Sequence, residues 1–286
     1  MKHHLPHLQI LLAGTLWGLI GIFNRSLYAA GLSSVSVVVV RNLGGLIVLG
    51  LVLLLLDRSV FRIELRHLPY FFGTGVISIL LFTLCYFTAQ QMTSLAVAAI
   101  LLYTAPAFVV ALSAVLFREK LTTGKLTALI LAFLGCTLVS GIWSGGLSVT
   151  AIGLLLGIGS GFFYGLYSIF GRYALAHYQP LTVTFYTFLF AGVGSLFLIR
   201  PAELMPCLTS GSSLLLILGL VVISTVLPYV FYTRGLARIE SGKASILASV
   251  EPVVASLVGV IVFQEPMSIA ILLGLACILI SVYILR

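Results

Sequence analysis

Two charged side chains stand inside long apolar runs of this 286-residue chain: Arg41, which follows Val37-Val38-Val39-Val40, and Glu251, which directly precedes Pro252. On insertion scales an ionisable group at membrane depth costs roughly 2.5–3.5 kcal/mol, so each requires a partner or a water-filled route. Arg41 lies about 6 residues into its run, roughly 9 Å deep at a helical rise of about 1.5 Å per residue. It either binds or gates an anionic group or pairs with a carboxylate in only one of two conformational states, or serves as a structural cation that snorkels to the outer interface or bonds backbone carbonyls. Glu251 either carries a proton, coordinates a cation or pairs with a cationic ligand, or is an uncharged buried group bonded to a neighbouring helix. Pro252 cannot donate a backbone hydrogen bond and clashes with the preceding turn, which predicts a kink and a freed carbonyl at Ala248.

Aromatic and polar side chains recur around these charges at helical spacing. Trp17 and Asn24 share a face, as do Thr83, Tyr86 and Gln90, Tyr164 and Tyr167, and Tyr229 and Tyr232. Hydroxyl and amide groups facing lipid are costly, so these stripes are expected to face protein or a pathway. Tyr86, Tyr103, Tyr164 and Tyr232 lie deep in their runs, whereas Tyr28 and Tyr70 sit near run ends, where a belt residue belongs. An aromatic lining favours flat or cationic ligands through stacking and cation–π contact.

The elements that position these residues follow from composition. With 61% hydrophobic and 8% charged residues and a mean hydropathy of +1.23, the chain departs from soluble domains, of which about a quarter is charged. A spanning helix needs about 20 mainly apolar residues. Ten runs meet that need, near 8–28, 35–56, 69–91, 95–117, 125–143, 151–173, 181–199, 213–236, 242–264 and 267–285. Gly31 with Ser33-Ser34, Trp143-Ser144-Gly145-Gly146 and Ser210-Gly211-Ser212-Ser213 supply the turns. The charged loop from Asp57 to Pro69 is expected along the cytoplasmic surface. With both termini cytoplasmic, twelve of the fifteen Lys and Arg lie inside, Arg25 and Arg200 lie outside, and Arg41 is within a span. That bias fixes the orientation, and it also accounts for the net charge of +8 without a nucleic-acid partner.

The chain reads as a duplication. Gly14, Gly18, Leu19, Ile22, Phe23 and Arg25 recur 147 residues later as Gly161, Gly165, Leu166, Ile169, Phe170 and Arg172. Tyr86, Ala98, Ile100, Pro106 and Glu119 recur 146 residues later as Tyr232, Ala244, Ile246, Pro252 and Glu265. The units are residues 1–146 and 147–286, with five spans each. An odd number of spans per unit places the second unit upside down relative to the first. Inverted repeats of this kind build secondary carriers, which expose a midplane site alternately to either side. In that setting Pro106 and Pro252 are the expected hinges, while Glu119 and Glu265, at helix ends, are expected as interfacial anchors or ion-pair partners.

Leu16-Trp17-Gly18, Arg41 after its valine run, Leu102-Tyr103-Thr104-Ala105-Pro106, Phe117-Arg118-Glu119, Glu251-Pro252 and Gln264-Glu265-Pro266 together resemble the drug/metabolite transporter superfamily, EamA type. The resemblance covers both halves. It implies an all-α membrane protein of ten transmembrane helices in two inverted five-helix repeats. It also implies a central cavity lined mainly by spans one, three, four, six, eight and nine. Movement of small metabolites, often outward, follows from it, with cargo that includes amino acids, drugs, nucleotide-related compounds and quaternary amines. An arginine at the position of Arg41 is common in the family whatever the cargo.

The expected function is therefore a multi-pass carrier in the cytoplasmic membrane that exports an amino-acid-like or aromatic or cationic metabolite, as monomer or homodimer, coupled to a proton, a sodium ion or the cargo gradient. An uptake carrier or facilitator is the alternative within that class. A polytopic lipid-active enzyme is the alternative outside it, but no HExxH or GxSxG motif is present, nor acids with histidine at membrane depth. No P-loop is present, so ATP hydrolysis is not expected. Cys85, Cys136, Cys207 and Cys277 lack metal-ligand spacing, and neither a metal nor a cofactor is expected of them or of His3, His4 and His7.

Overall fold

A computed structural model of the chain describes residues 4–140 and 150–285. The chain is all helical, and among the described residues no strand forms. Eight helices are long and apolar enough to cross a membrane: α1 (Leu5–Ala29), α2 (Ser34–Leu56), α3 (Leu65–Met92), α4 (Ala96–Leu116), α6 (Ala151–Leu175), α7 (Pro180–Leu198), α8 (Gly211–Leu236) and α9 (Ser241–Phe263). Two shorter apolar helices, α5 (Thr123–Val139) and α10 (Ile269–Ile284), pack on each other. Their backbones meet closely, because a Cβ added at Gly135 would come within 2.7 Å of the Gly274 carbonyl and the converse within 2.8 Å. The expected turn Trp143-Ser144-Gly145-Gly146, the end of the fifth expected span and the boundary between the two units lie outside the described residues. Leu55, Leu56, Leu155, Phe197 and Ile269 are exposed on the outside of the bundle, where lipid rather than water is the natural neighbour.

The helices that carry the sequence repeat cross between the halves. α1 lies against α9 through Gly18, whose added Cβ would meet the Glu251 carbonyl at 2.7 Å. α6 lies against α4 through Gly161, whose added Cβ would meet the Leu101 carbonyl at 2.7 Å. Both are close backbone approaches that only a residue without a side chain permits.

Irregular backbone also falls at matching places. α3 contains a π-helical stretch, Gly73–Leu81, in which the Ser78 hydroxyl donates to the Gly73 carbonyl at 2.8 Å. α8 contains another, Val222–Val226, in which the Thr225 hydroxyl donates to the Leu220 carbonyl at 3.0 Å. Each hydroxyl satisfies a carbonyl that the widened turn leaves without its usual partner. α4 breaks at Tyr103–Thr104 before restarting at Ala105 with Pro106 in its first turn. α9 passes through a 3₁₀ turn at Ala248–Val250 before restarting with Pro252 in its first turn. The Ala248 carbonyl, expected to be free, instead accepts the Glu251 N–H, because tightening to a 3₁₀ turn supplies a donor one residue earlier than an α turn does.

One surface element has no counterpart in the sequence-based expectation. A short helix, Pro201–Thr209, links α7 to α8 and sends Glu203 to the start of α2. There the carboxylate accepts from the Ser33 N–H (3.0 Å), the Ser33 hydroxyl (2.5 Å) and the Ser36 hydroxyl (2.6 Å), and it pairs with Arg200 (3.2 Å). The Ser33 and Ser36 hydrogen bonds hold its pKa down to about 2 from the usual carboxylate range. The folded-state value is depressed, so this clasp contributes full stability above the unfolded pKa near 4.5 and loses it as pH falls toward 2. Glu203→Gln is therefore expected to lower the melting temperature in detergent at pH 7, with the gap to wild type narrowing between pH 4.5 and 2. A gap independent of pH across that window would remove the ionised clasp from the account.

Candidate functional site

A cavity of about 320 Å³ lies between α1, α2, α3, α4, α6, α8 and α9. It is at the lower end of the roughly 300–1,000 Å³ that holds small molecules. Ten of the residues singled out in the sequence face it: Trp17, Asn24, Arg41, Thr83, Tyr86, Gln90, Tyr103, Tyr164, Tyr229 and Glu251. Tyr167 and Tyr232 do not line it and lie one layer deeper, beside a void of about 30 Å³ that Pro106 also lines. Sequence reasoning missed Ile20, Phe82, Phe87, Leu102 and Tyr28. Tyr28, expected in an interfacial belt, lines the cavity because it sits seven residues after Gly21 on the inner stripe that also carries Asn24. The heptad from Trp17 to Asn24, extended by one turn, was the signal for it.

The two charges stand in this cavity without each other. Arg41 donates from Nε to the Thr225 hydroxyl at 3.2 Å, and that hydroxyl is itself fixed on the Leu220 carbonyl at the π-helical turn. The hydroxyl orients the guanidinium and neutralises none of its charge. Among the described residues no ion pair within 4.0 Å reaches Arg41, and neither an ion pair nor a side-chain hydrogen bond reaches the Glu251 carboxylate. The Asn24 carbonyl oxygen is buried without a hydrogen-bond partner. Thr83, by contrast, donates to the Ile79 carbonyl of its own helix at 2.6 Å, so its hydroxyl is already committed. The cavity thus offers one cation, one carboxylate and one amide oxygen, all with bonding capacity unused.

A layer of aromatic rings forms the floor. Trp17 packs on Tyr229 and Tyr232 with centroids 5.2 and 5.5 Å apart, and Tyr167 packs on the same two at 5.2 and 6.0 Å. Trp17, Tyr167, Tyr229 and Tyr232 are all buried. Two hydroxyls of the layer are tied down, Tyr167 to Thr233 at 2.6 Å and Tyr232 to Ser168 at 2.7 Å. Below the floor, at the end where α8 meets α9, the bundle is shut by polar contacts. Glu119 accepts from the Ser241 and Gly242 N–H groups at 2.6 and 3.1 Å, and Lys125, 1% exposed, lies 3.5 Å from Glu119 and 3.0 Å from Glu240. Arg172 donates to the Leu236 and Ile239 carbonyls at 3.0 and 2.8 Å. At the opposite end, where α3 meets α4, Tyr28 is 40% exposed and Gln90 still borders the cavity.

The model of the EamA-like transporter family matches this chain twice, over residues 4–141 and 151–286. The chain belongs to that family. The transporter is 35% identical over 202 residues to an uncharacterized transporter of Archaeoglobus fulgidus, an alignment that covers 70% of each chain. It is 27% identical over 287 residues to the uncharacterized inner membrane transporter YicL of Salmonella typhimurium, covering 97% of this chain and 94% of that one. A solved crystal structure, 20% identical with a TM-score of 0.80, covers 98% of this chain and 95% of its own and has the same fold. The protein is a multi-pass membrane transporter, with the bilayer around it and a small molecule as cargo.

The floor of this transporter can be tested by its hydrogen bonds. Tyr232→Phe and Ser168→Ala each strand a buried hydroxyl, or the space of one, and are expected to cost about 1–3 kcal/mol each. The double variant is expected to cost less than the sum, because it removes both partners together. Melting temperatures of the four proteins in detergent give the coupling, and strict additivity would mean that the two groups do not bond.

Proposed function

We propose that the chain is a secondary transporter built of ten membrane helices in two inverted five-helix repeats, which exports a small zwitterionic, amino-acid-like metabolite with an aromatic or apolar side chain by alternating access. The observation that carries this reading is the pair of uncommitted charges, Arg41 and Glu251, in one aromatic-walled cavity. A zwitterion brings a carboxylate for the guanidinium and an ammonium for the carboxylate, and a burial that is costly for either protein charge alone becomes favourable when each is paired. Trp17, Tyr86, Tyr103, Tyr164 and Tyr229 supply stacking faces for the remainder of the cargo.

Several features support the two-repeat layout. The family model matches once in each half. α5 and α10 would be the fifth span of each repeat. Gly14 against the Ala248 carbonyl of α9 mirrors Gly161 against the Leu102 carbonyl of α4, the π-helical turns of α3 and α8 mirror each other, and the breaks before Pro106 and Pro252 fall at cavity depth. Those breaks are the bending points. With the positive charges inside and both termini cytoplasmic, the α8–α9 end is cytoplasmic and the cavity faces away from the cytoplasm. Asn24, Thr83 and Gln90 border the entry side, while Tyr167 and Tyr232 belong to the closed path beneath.

Counterflow in proteoliposomes tests this. Unlabelled phenylalanine inside is expected to drive uptake of labelled phenylalanine, while phenethylamine and phenylpropionate, each lacking one charge, are expected to drive it at least about tenfold less well, the cost of one lost charged hydrogen bond. Arg41→Gln is expected to reduce exchange by at least about tenfold, and Glu251→Gln to flatten its pH profile because a carboxylate reachable from both sides carries the coupling proton. Equal exchange of the zwitterion and both singly charged analogues would sink the assignment of cargo. Full activity of Glu251→Gln with an unchanged pH profile would remove that residue from coupling.

A further inference from the structure

Glu119 and Glu265 end α4 and α9 in the same local structure. Each follows a residue in the left-handed region, Arg118 at φ 55° and Gln264 at φ 56°. Each donates its own N–H to the carbonyl six residues back, Glu119 to Ser113 at 3.3 Å and Glu265 to Gly259 at 3.0 Å. The two carboxylates therefore leave the backbone in the same way, yet their partners differ. Glu119 grips the Ser241 and Gly242 N–H groups at the start of α9. Glu265 instead pairs with Arg25, whose guanidinium also sits 4.0 Å over the Phe263 ring.

The arginines differ in the matching sense. Arg172, the repeat partner of Arg25, is drawn away from the carboxylate and holds the Leu236 and Ile239 carbonyls at the end of α8. At the shut end, then, arginine and glutamate are apart and clasp the α8–α9 turn from two sides. At the cavity end they are together and neither holds the α3–α4 turn, whose Met92 carbonyl takes the Thr150 hydroxyl at 3.3 Å. The groups that would be clasped there are present. Shifting by the repeat, Ser241 and Gly242 correspond to Leu95 and Ala96, and Leu236 and Ile239 to Gln90 and Thr93. The Ser94 hydroxyl takes the Val97 N–H at 3.2 Å, and among the described residues the Ala96 N–H group has no partner.

From this we infer that Arg25–Glu265 and Arg172–Glu119 are reciprocal gate clasps: when the cavity end closes, Glu265 takes the Leu95 and Ala96 N–H groups and Arg25 takes the Gln90 and Thr93 carbonyls, while Arg172 and Glu119 let go of the α8–α9 turn and pair with each other. This rests on the inverted-repeat, alternating-access reading, and it names the residues that hold each state. They are positioning residues and touch no cargo.

The test uses single reporter cysteines in full-length protein in which Cys85, Cys136, Cys207 and Cys277 are replaced by alanine, reconstituted in vesicles and treated with a membrane-impermeant maleimide from either side. Ile20→Cys reports the cavity end and Ser245→Cys the shut end. Glu119→Gln is expected to raise modification of Ser245→Cys and lower that of Ile20→Cys by about tenfold, the population shift from losing a hydrogen bond to a charged group. Glu265→Gln is expected to do the reverse, and the double variant to return both reporters toward wild type. Ala96→Pro removes one proposed donor at a first-turn position where proline is tolerated, and is expected to match Glu265→Gln. If Glu119→Gln shifts the reporters inversely while Glu265→Gln and Ala96→Pro leave them unchanged, two-state access stands and the reciprocal clasp is overturned. If no variant of unchanged melting temperature moves either reporter, or both reporters move together, alternating access and the clasp fall together.

Discussion

A bilayer offers no water to a polar group, and that single constraint orders the interior of this protein. Hydroxyls within the helices are spent on backbone carbonyls, as in Thr15 on Leu11, Ser78 on Gly73 and Thr225 on Leu220. Where two buried side chains meet, they bond: Asn42 with Ser195 at 2.8 Å, Thr187 with Thr74 at 2.7 Å, Tyr167 with Thr233. Against that background the groups left uncommitted stand out as a set. Arg41, Glu251 and the Asn24 oxygen converge on one cavity where a solute would meet them, whereas the other buried side-chain atoms without a hydrogen bond, on His7, Gln9, Ser224 and Ser241, do not line it.

The same constraint explains the backbone irregularities. A π-helical turn or a proline break in lipid strands a carbonyl, which must be met by a hydroxyl, a tighter turn or a cavity. α3 and α8 use Ser78 and Thr225. α9 uses the 3₁₀ turn that returns the Glu251 N–H to Ala248. Thr225 does double service, since the lone pair left after it bonds Leu220 receives Arg41. A local defect in α8 thus sets the direction of a charge on α2, which is how a repeat feature is turned into a site feature in only one half.

Much of this was legible in the sequence and some was not, for reasons that can be named. Helix positions follow from apolar runs, because burial in lipid is a property of each run alone, and the expected ends fall close to the observed ones. Facing residues such as Trp17 and Asn24, or Tyr86 and Gln90, follow from 3.6-residue periodicity, and the cavity collects them. What periodicity does not give is depth along a converging bundle. Tyr164 and Tyr167 share a face, yet the first borders the cavity and the second is in the floor. Partnerships across the fold were also hidden. Glu203 reaches Ser33 across 170 positions and Arg41 reaches Thr225 across 184, and no local pattern marks either. The short helix Pro201–Thr209 escaped because nine residues carry too little periodic signal, and Tyr28 because a tyrosine near a helix end suits a membrane belt as well as a cavity mouth.

A carrier must hold two conformations within a few kcal/mol of each other, or one of them is never visited. In the proposed inverted-repeat carrier, duplication provides that balance directly, because exchanging the roles of two repeats exchanges like for like. Here the balance is visible in the kind of bond at each end. The shut end has carboxylate to backbone N–H and guanidinium to backbone carbonyl, and the cavity end has guanidinium to carboxylate. In the proposed exchange of clasps, charge-assisted bonds lost at one end are replaced by the same kinds at the other, so their sum would change little. The residues that are not duplicated then set the bias. Lys125 and Glu240 reinforce the shut end, and their repeat counterparts are Ile271 and Ser94, neither of which is charged. On the alternating-access reading proposed above, the buried Lys125 ion pairs favour closure of the α8–α9 end when the cavity is empty, and cargo bound between Arg41 and Glu251 would have to supply the difference that carries the protein across.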